Sequence, residues 1–223
     1  MKTRLCILFL CITFIAVLPA KGKSDVSALR AKEVVVYAYD SFTADWGPGP
    51  ELVKLFEAET GYTCTLISAG DAVQVLTRAV LEKDAPQADV LLGLDNNQVK
   101  TVKAHKVLQS YKPTNADSLI PADAVIDPDW QLVPYDWSYF ALIYDTQSNV
   151  PAPTSLSDLT KSVYAKKLIL MDPRTSTPGL GFAAWTRAVF GEKYADYWKN
   201  LKPSILTMAP GWDAGYGLFT AGE

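Results

Sequence analysis

The chain has 223 residues, 49% of them hydrophobic and 20% charged, and a formal net charge of −3. That composition suits one large globular domain or two small ones, and it excludes a disordered tail and a coiled coil. The mildly acidic balance also argues against nucleic acid as a partner.

Residues 1–20 carry Lys2 and Arg4, then an apolar run over 5–18, then Pro19-Ala20. This is the layout of a secretory signal peptide, with cleavage expected after Ala20, and the run is short for a membrane span. Removing Lys2 and Arg4, the only charged residues of that segment, takes the formal charge to −5. Cys6 and Cys11 leave with the signal, so Cys64 stands alone in the apolar stretch 62–67 and is read as a buried strand residue. The one histidine, His105, lies between Lys103 and Lys106 on a polar helical face. One His and one mature Cys leave little material for a His/Cys zinc site or a Ser-His-Asp triad.

After a polar leader, 34–39 predicts a β-branched, aromatic strand, followed by a loop over 40–50. Pro50 then opens a helix over 51–60 that Gly61 closes. A strand at 62–68, a helix at 72–83 and a strand at 88–94 complete an alternation that predicts a parallel sheet with right-handed crossovers. Ligands gather at the carboxyl ends of such strands. The loops 40–50, 69–71 and 95–97 therefore share one rim. Residues 107–129 read as irregular, 131–134 and 139–144 as two strand-like pieces, and 134–139 as a crossing between domains. A second series follows: a short helix at 155–161, a strand at 167–171, a helix after Thr177, a helix at 194–201, a strand at 205–208 and a helix at 212–221.

The run Asp172-Pro173-Arg174-Thr175-Ser176-Thr177-Pro178-Gly179 reads as a loop delivering hydroxyls and N–H groups to a helix start. Ser176 or Thr177 can serve as N-cap and Pro178 fits the first helical position. The unpaired N–H donors there suit an anion, and an ordinary capped helix explains the same residues. Aromatics collect in the loops, at Tyr39, Trp46, Tyr135, Trp137, Tyr139, Trp212 and Tyr216, where flat electron-rich faces suit a planar or cationic ligand. Trp46, Trp137 and Tyr139 are read first as packing residues. For Tyr39 and Trp212, packing and ligand contact stay equally open. Asp71 either caps the helix starting at Ala72 or faces a ligand cation, and Asp95-Asn96-Asn97 reads first as a turn, with Asn96 as a possible contact.

Four stretches together resemble one family. They are Val36-Tyr37-Ala38-Tyr39-Asp40-Ser41-Phe42-Thr43-Ala44-Asp45-Trp46-Gly47-Pro48-Gly49-Pro50, Ala88 through Asn97, the run from Asp172 to Gly181, and Gly211-Trp212 with Tyr216-Gly217-Leu218-Phe219. They look like the thiamine-binding periplasmic proteins, the soluble components of thiamine ABC importers. The resemblance implies an α/β, two-domain type II periplasmic-binding-protein fold with mixed, mostly parallel sheets. It divides the chain into a signal peptide (1–20), a first domain (21–133), a crossing (134–145) and a partial second domain (146–223). It also implies a monomer without catalytic activity or resident cofactor, working in the periplasm with a membrane permease. The transported ligand would be thiamine, thiamine phosphate or thiamine diphosphate.

Carried over by position, Tyr39 and Trp212 would stack on the rings, and Asp71 and Ala72 would touch the ligand from the first domain, Ala72 through its backbone. Ser176 and Thr177 would offer hydroxyl or N–H donors that reach the phosphates. The family continues well beyond the equivalent of Glu223, which implies a fold incomplete at the C-terminus, lacking the strand that returns to the first domain. Two rivals stand beside this reading. One is a ferric-ion or other small-solute binder of the same fold. The other is a secreted hydrolase using acids such as Asp71 or Asp172, which requires paired carboxylates facing one cleft.

Overall fold

The computed structural model describes residues 32–223; the expected signal peptide at 1–20 lies outside them. The β-branched run Val34-Val35-Val36 lies within β1 (Glu33–Ala38), as side chains stiff at χ1 favour. The following loop holds a short helix, α1 (Asp40–Thr43), where sequence reading expects none. Its Thr43 hydroxyl donates back to the Asp40 carbonyl at 2.9 Å. Helix α2 (Gly49–Thr60) carries Pro50 in its first turn and ends at Gly61 in the left-handed conformation, a pairing of proline start and glycine stop that sequence can signal. Strand β2 (Thr63–Ser68), helix α3 (Ala72–Leu81) and the two-residue strand β3 (Val90–Leu91) follow, the last shorter than the 88–94 expected. Helices α4 (Val99–His105) and α5 (Ala116–Leu119) lie in otherwise irregular chain.

Strands β2, β1 and β3 pair in that order, all parallel. Cys64 sits on the edge strand β2 and is half-buried, not buried as its apolar neighbours suggest. An edge strand has only one covered flank.

The second half comprises β4 (Leu168–Met171), α6 (Thr177–Phe190), α7 (Tyr194–Leu201), β5 (Ile205–Ala209) and α8 (Trp212–Thr220), with β4 and β5 paired in parallel. The helix expected at 155–161 is a 3₁₀ segment, Leu156–Thr160, capped by Ser155. Every ladder among the described residues is parallel, so the mixed character expected of the sheets is not found there.

The pieces at 131–134 and 139–144 are not strands. Apolar alternation is only half of a strand; the other half is a neighbour that takes its N–H and C=O groups. No described strand pairs with this segment, and Tyr139 is left 91% exposed. Two apolar clusters hold the rest. Leu156, Leu159, Leu170, Phe182, Tyr197 and Leu201 pack between α6, α7 and the second sheet, and Leu76, Val102 and Leu132 pack under α3 and α4.

Strand register places the loops. Ala38 lies opposite Ser68 and Tyr37 opposite Leu91, so Tyr39, Asp71 and Gly93 leave the first sheet along one rim. Met171 lies opposite Ala209, so the 172–176 loop and Gly211 leave the second sheet together.

Candidate functional site

A cavity of about 770 Å³ opens where these two rims face each other. Of the six residues singled out by sequence, Tyr39, Asp71, Ala72, Thr177 and Trp212 line it. Ser176 does not: it is fully buried at the N-cap of α6, and its hydroxyl has no hydrogen-bond partner. Neither Ser176 nor Thr177 caps α6 with its side chain.

The cap comes from elsewhere. Asp71 Oδ1 accepts the Ala72 N–H at 2.6 Å and the Thr177 N–H at 3.0 Å, while Oδ2 accepts the Trp212 N–H at 3.1 Å. One carboxylate thus faces the first-turn donors of α3, α6 and α8, where unpaired N–H groups and helix dipoles favour negative charge. The Gln74 side chain in return accepts the Asp71 N–H at 2.9 Å, completing a capping box. Asp71 thus caps α3 as expected, and the residue also lines the cavity. Ala72 is 2% exposed and its N–H is already committed to Asp71.

Gly211 makes the approach of α8 possible, since a Cβ there would sit 3.2 Å from both Asp71 Cβ and Oδ2. Gly93, at φ +103°, does the same for Tyr39, whose ring lies where a side chain on residue 93 would go. The Tyr39 hydroxyl shares a 2.7 Å hydrogen bond with that of Tyr135. Burial, the Tyr39 bond and nearby Asp136 hold the Tyr135 phenol well above its usual range.

Trp212 stacks on Tyr216 with centroids 4.7 Å apart and planes 10° apart, and Trp46 stands 6.4 Å from it at the rim. Trp46 and Trp137 are each 69% exposed and line the cavity together with Tyr139, so none of the three is the packing residue expected. All three lie outside the helices and strands.

Six aspartates line the cavity: Asp40, Asp71, Asp95, Asp123, Asp136 and Asp213. No Lys, Arg or His among the described residues does. Burial raises the Asp95 carboxyl against the lowering effect of bonds from Asn97 and Gln98. Asp213 is raised by burial and then by the negative charges of Asp40 and Asp71. Sequence reading passed over Asp213. Its one signal was its place directly after Trp212, in the first turn of a helix opening on the rim.

Asp172, by contrast, does not line the cavity. Arg174 grips it through Nε at 2.9 Å and Nη2 at 2.5 Å and lowers its carboxyl to about 2. With Asp71 saturated by N–H donors and Asp172 outside, the two acids named for a hydrolase do not face one cleft.

Residues 85–211 match the family model of the bacterial extracellular solute-binding proteins. The chain is 41% identical over 198 residues to the thiamine-binding periplasmic protein of Escherichia coli K12, covering 86% of this chain and 58% of that one. It is 38% identical over 197 residues to the protein of that name from Brucella abortus, covering 88% and 58%. Among solved structures it resembles a periplasmic thiamin binding protein at 36% identity and a TM-score of 0.67, covering 85% of this chain and 59% of the other. A ferric binding protein from Campylobacter jejuni aligns at 22% identity with a TM-score of 0.61, covering 84% and 59%, and shares the fold. The chain therefore spans rather less than three-fifths of the length of the relatives it matches.

Proposed function

The chain belongs to the bacterial extracellular solute-binding protein family, and we propose that it captures thiamine and its phosphate esters and delivers them to an ABC importer. One observation carries the reading: a cavity walled by aromatic rings and six aspartates, with no basic side chain among the described residues. Thiamine is a permanent thiazolium cation joined to an aminopyrimidine. Such a ligand gains from cation–π attraction and stacking, and its charge offsets the repulsion among the carboxylates.

In this reading Trp212 and Tyr39 take the rings, and Asp71 and Ala72 form the floor. Thr177 stands beside Asp71 at the cavity wall. Ser176 stays in the set because its buried hydroxyl has its hydrogen-bonding capacity uncommitted. The protein acts by binding and closure, as a monomer, with no cofactor and no covalent chemistry of its own. Export through residues 1–20 would bring it to the periplasm, where a membrane permease would receive the ligand. In this reading the segment 134–145 is the crossing about which the cavity closes.

Titration calorimetry on the full chain tests the reading. Saturable heat with thiamine supports it, and silence with thiamine alongside clear binding of ferric ion or another solute overturns it.

A further inference from the structure

Asp213 occupies the second position of α8, one residue after the tryptophan of the aromatic wall. Its Oδ1 is shut off from solvent and receives no hydrogen bond. A buried acceptor without a donor destabilises the fold, more so when ionised, so it persists where function uses it. The neighbouring charges deepen the anomaly. Asp40 and Asp71 face it with the same sign, and no described Lys, Arg or His lines the cavity to offset them. Asp71 is spoken for by three backbone N–H groups, whereas Asp213 lines the cavity with one carboxylate oxygen uncommitted. The positive end of α8 tolerates an acid at this position but does not require one.

We infer that Asp213 is the specificity-determining residue of the cavity: it is the counter-charge that selects a cationic ring over a neutral ring of the same shape. This rests on the cation-capture reading above and deepens it. The ligand supplies what Asp213 lacks, a positive charge or a polarised N–H, and Trp212 beside it fixes the plane in which that charge lies.

The test compares thiamine with its uncharged isostere in which a thiophene ring replaces the thiazolium, by calorimetry on the full chain. The wild type is expected to bind thiamine about tenfold or more tighter than the isostere, as a partly desolvated charge pair allows. Asp213→Asn is expected to bring that ratio near one by losing affinity for thiamine alone. Ligand-free, the Asn variant should melt at the same temperature as the wild type or higher, because it loses a repelled and unpartnered charge. A role in folding alone predicts the reverse, a lower melting temperature and an unchanged ratio, and that result overturns the inference. So does a wild-type ratio near one, or failure of both Asp213→Asn and Asp213→Ser to fold. Absence of thiamine binding by the wild type overturns the parent reading instead.

Discussion

The Asp71 carboxylate accepts the backbone N–H of Thr177 at 3.0 Å, so the start of a helix on one sheet is capped by a side chain from the other. The two residues are 106 positions apart in sequence. Replacing Asp71 by Ala removes the cap of α3 and strands the donors of Thr177 and Trp212. The cap is worth about 1 kcal/mol and each stranded donor about 1–3 kcal/mol where water cannot reach it. Asp71→Ala is therefore expected to lose about 3 kcal/mol or more in urea unfolding, and Asp71→Asn, which keeps one acceptor oxygen, to lose less.

The same contact sets a rule for phosphorylated ligands. A phosphate reaching the N–H groups of Thr177 and Trp212 must displace a carboxylate that already holds them. Like charges at that spacing repel. In Asp71→Asn the ratio of thiamine phosphate to thiamine affinity should rise above the wild-type ratio, by calorimetry with both ligands. An unchanged ratio would place the phosphate elsewhere.

What the sequence made legible was local. Pro50 and Gly61 bracket a helix by backbone geometry alone, and the helix at 194–201 needs only its own apolar face. The alternation of strands and helices yielded the parallel sheets, and with them the rim on which Tyr39, Asp71, Thr177 and Trp212 meet. Properties decided by distant partners were not legible. Residues 139–144 have the side chains of a strand and no strand to pair with. Ser176 has the chemistry of a cap, yet Asp71 takes the donors. Asp213 looks like any acid in a first helical turn until its neighbours prove to be Asp40 and Asp71.

Asp127 is fully buried away from the cavity, where Lys103 Nζ approaches at 2.6 Å and the N–H groups of Gln131 and Leu132 donate at 2.8 and 3.3 Å. Burial pushes its carboxyl up, but Lys103 and the backbone donors together outweigh that and leave it below the usual value. A depressed folded-state value adds stability above the unfolded value of about 3.9, and this is lost as pH falls through the lower folded value. Asp127→Asn should thus unfold at lower urea than the wild type at pH 7, with the gap closing as the pH is taken down past 4. A gap that stays constant would show that the pair contributes shape and no charge.

Trp212 presents one face to Tyr216 and lines the cavity. A ring that stacks on a cation contributes about 0.5–2 kcal/mol, so Trp212→Ala should weaken thiamine binding by about tenfold and Trp212→Phe by less. Quenching of intrinsic fluorescence by thiamine should fall with the same variants. Equal affinity in all three proteins would remove Trp212 from the ring site.

Ser176 separates a ligand contact from an accident of packing. Its hydroxyl is buried without a partner, and such a group destabilises the protein that carries it. In Ser176→Ala the ligand-free protein is therefore expected to unfold at the same temperature or slightly higher. If the hydroxyl turns to the ligand, the same variant loses affinity, by about three- to tenfold for one neutral hydrogen bond of about 1 kcal/mol. Thermal unfolding with and without thiamine reads both quantities in one experiment, because a ligand raises the melting temperature in proportion to its binding free energy. A smaller thiamine-induced rise on a higher baseline assigns Ser176 to the ligand. An equal rise on that higher baseline assigns it to packing alone, and leaves Thr177 as the only donor from this loop at the cavity wall.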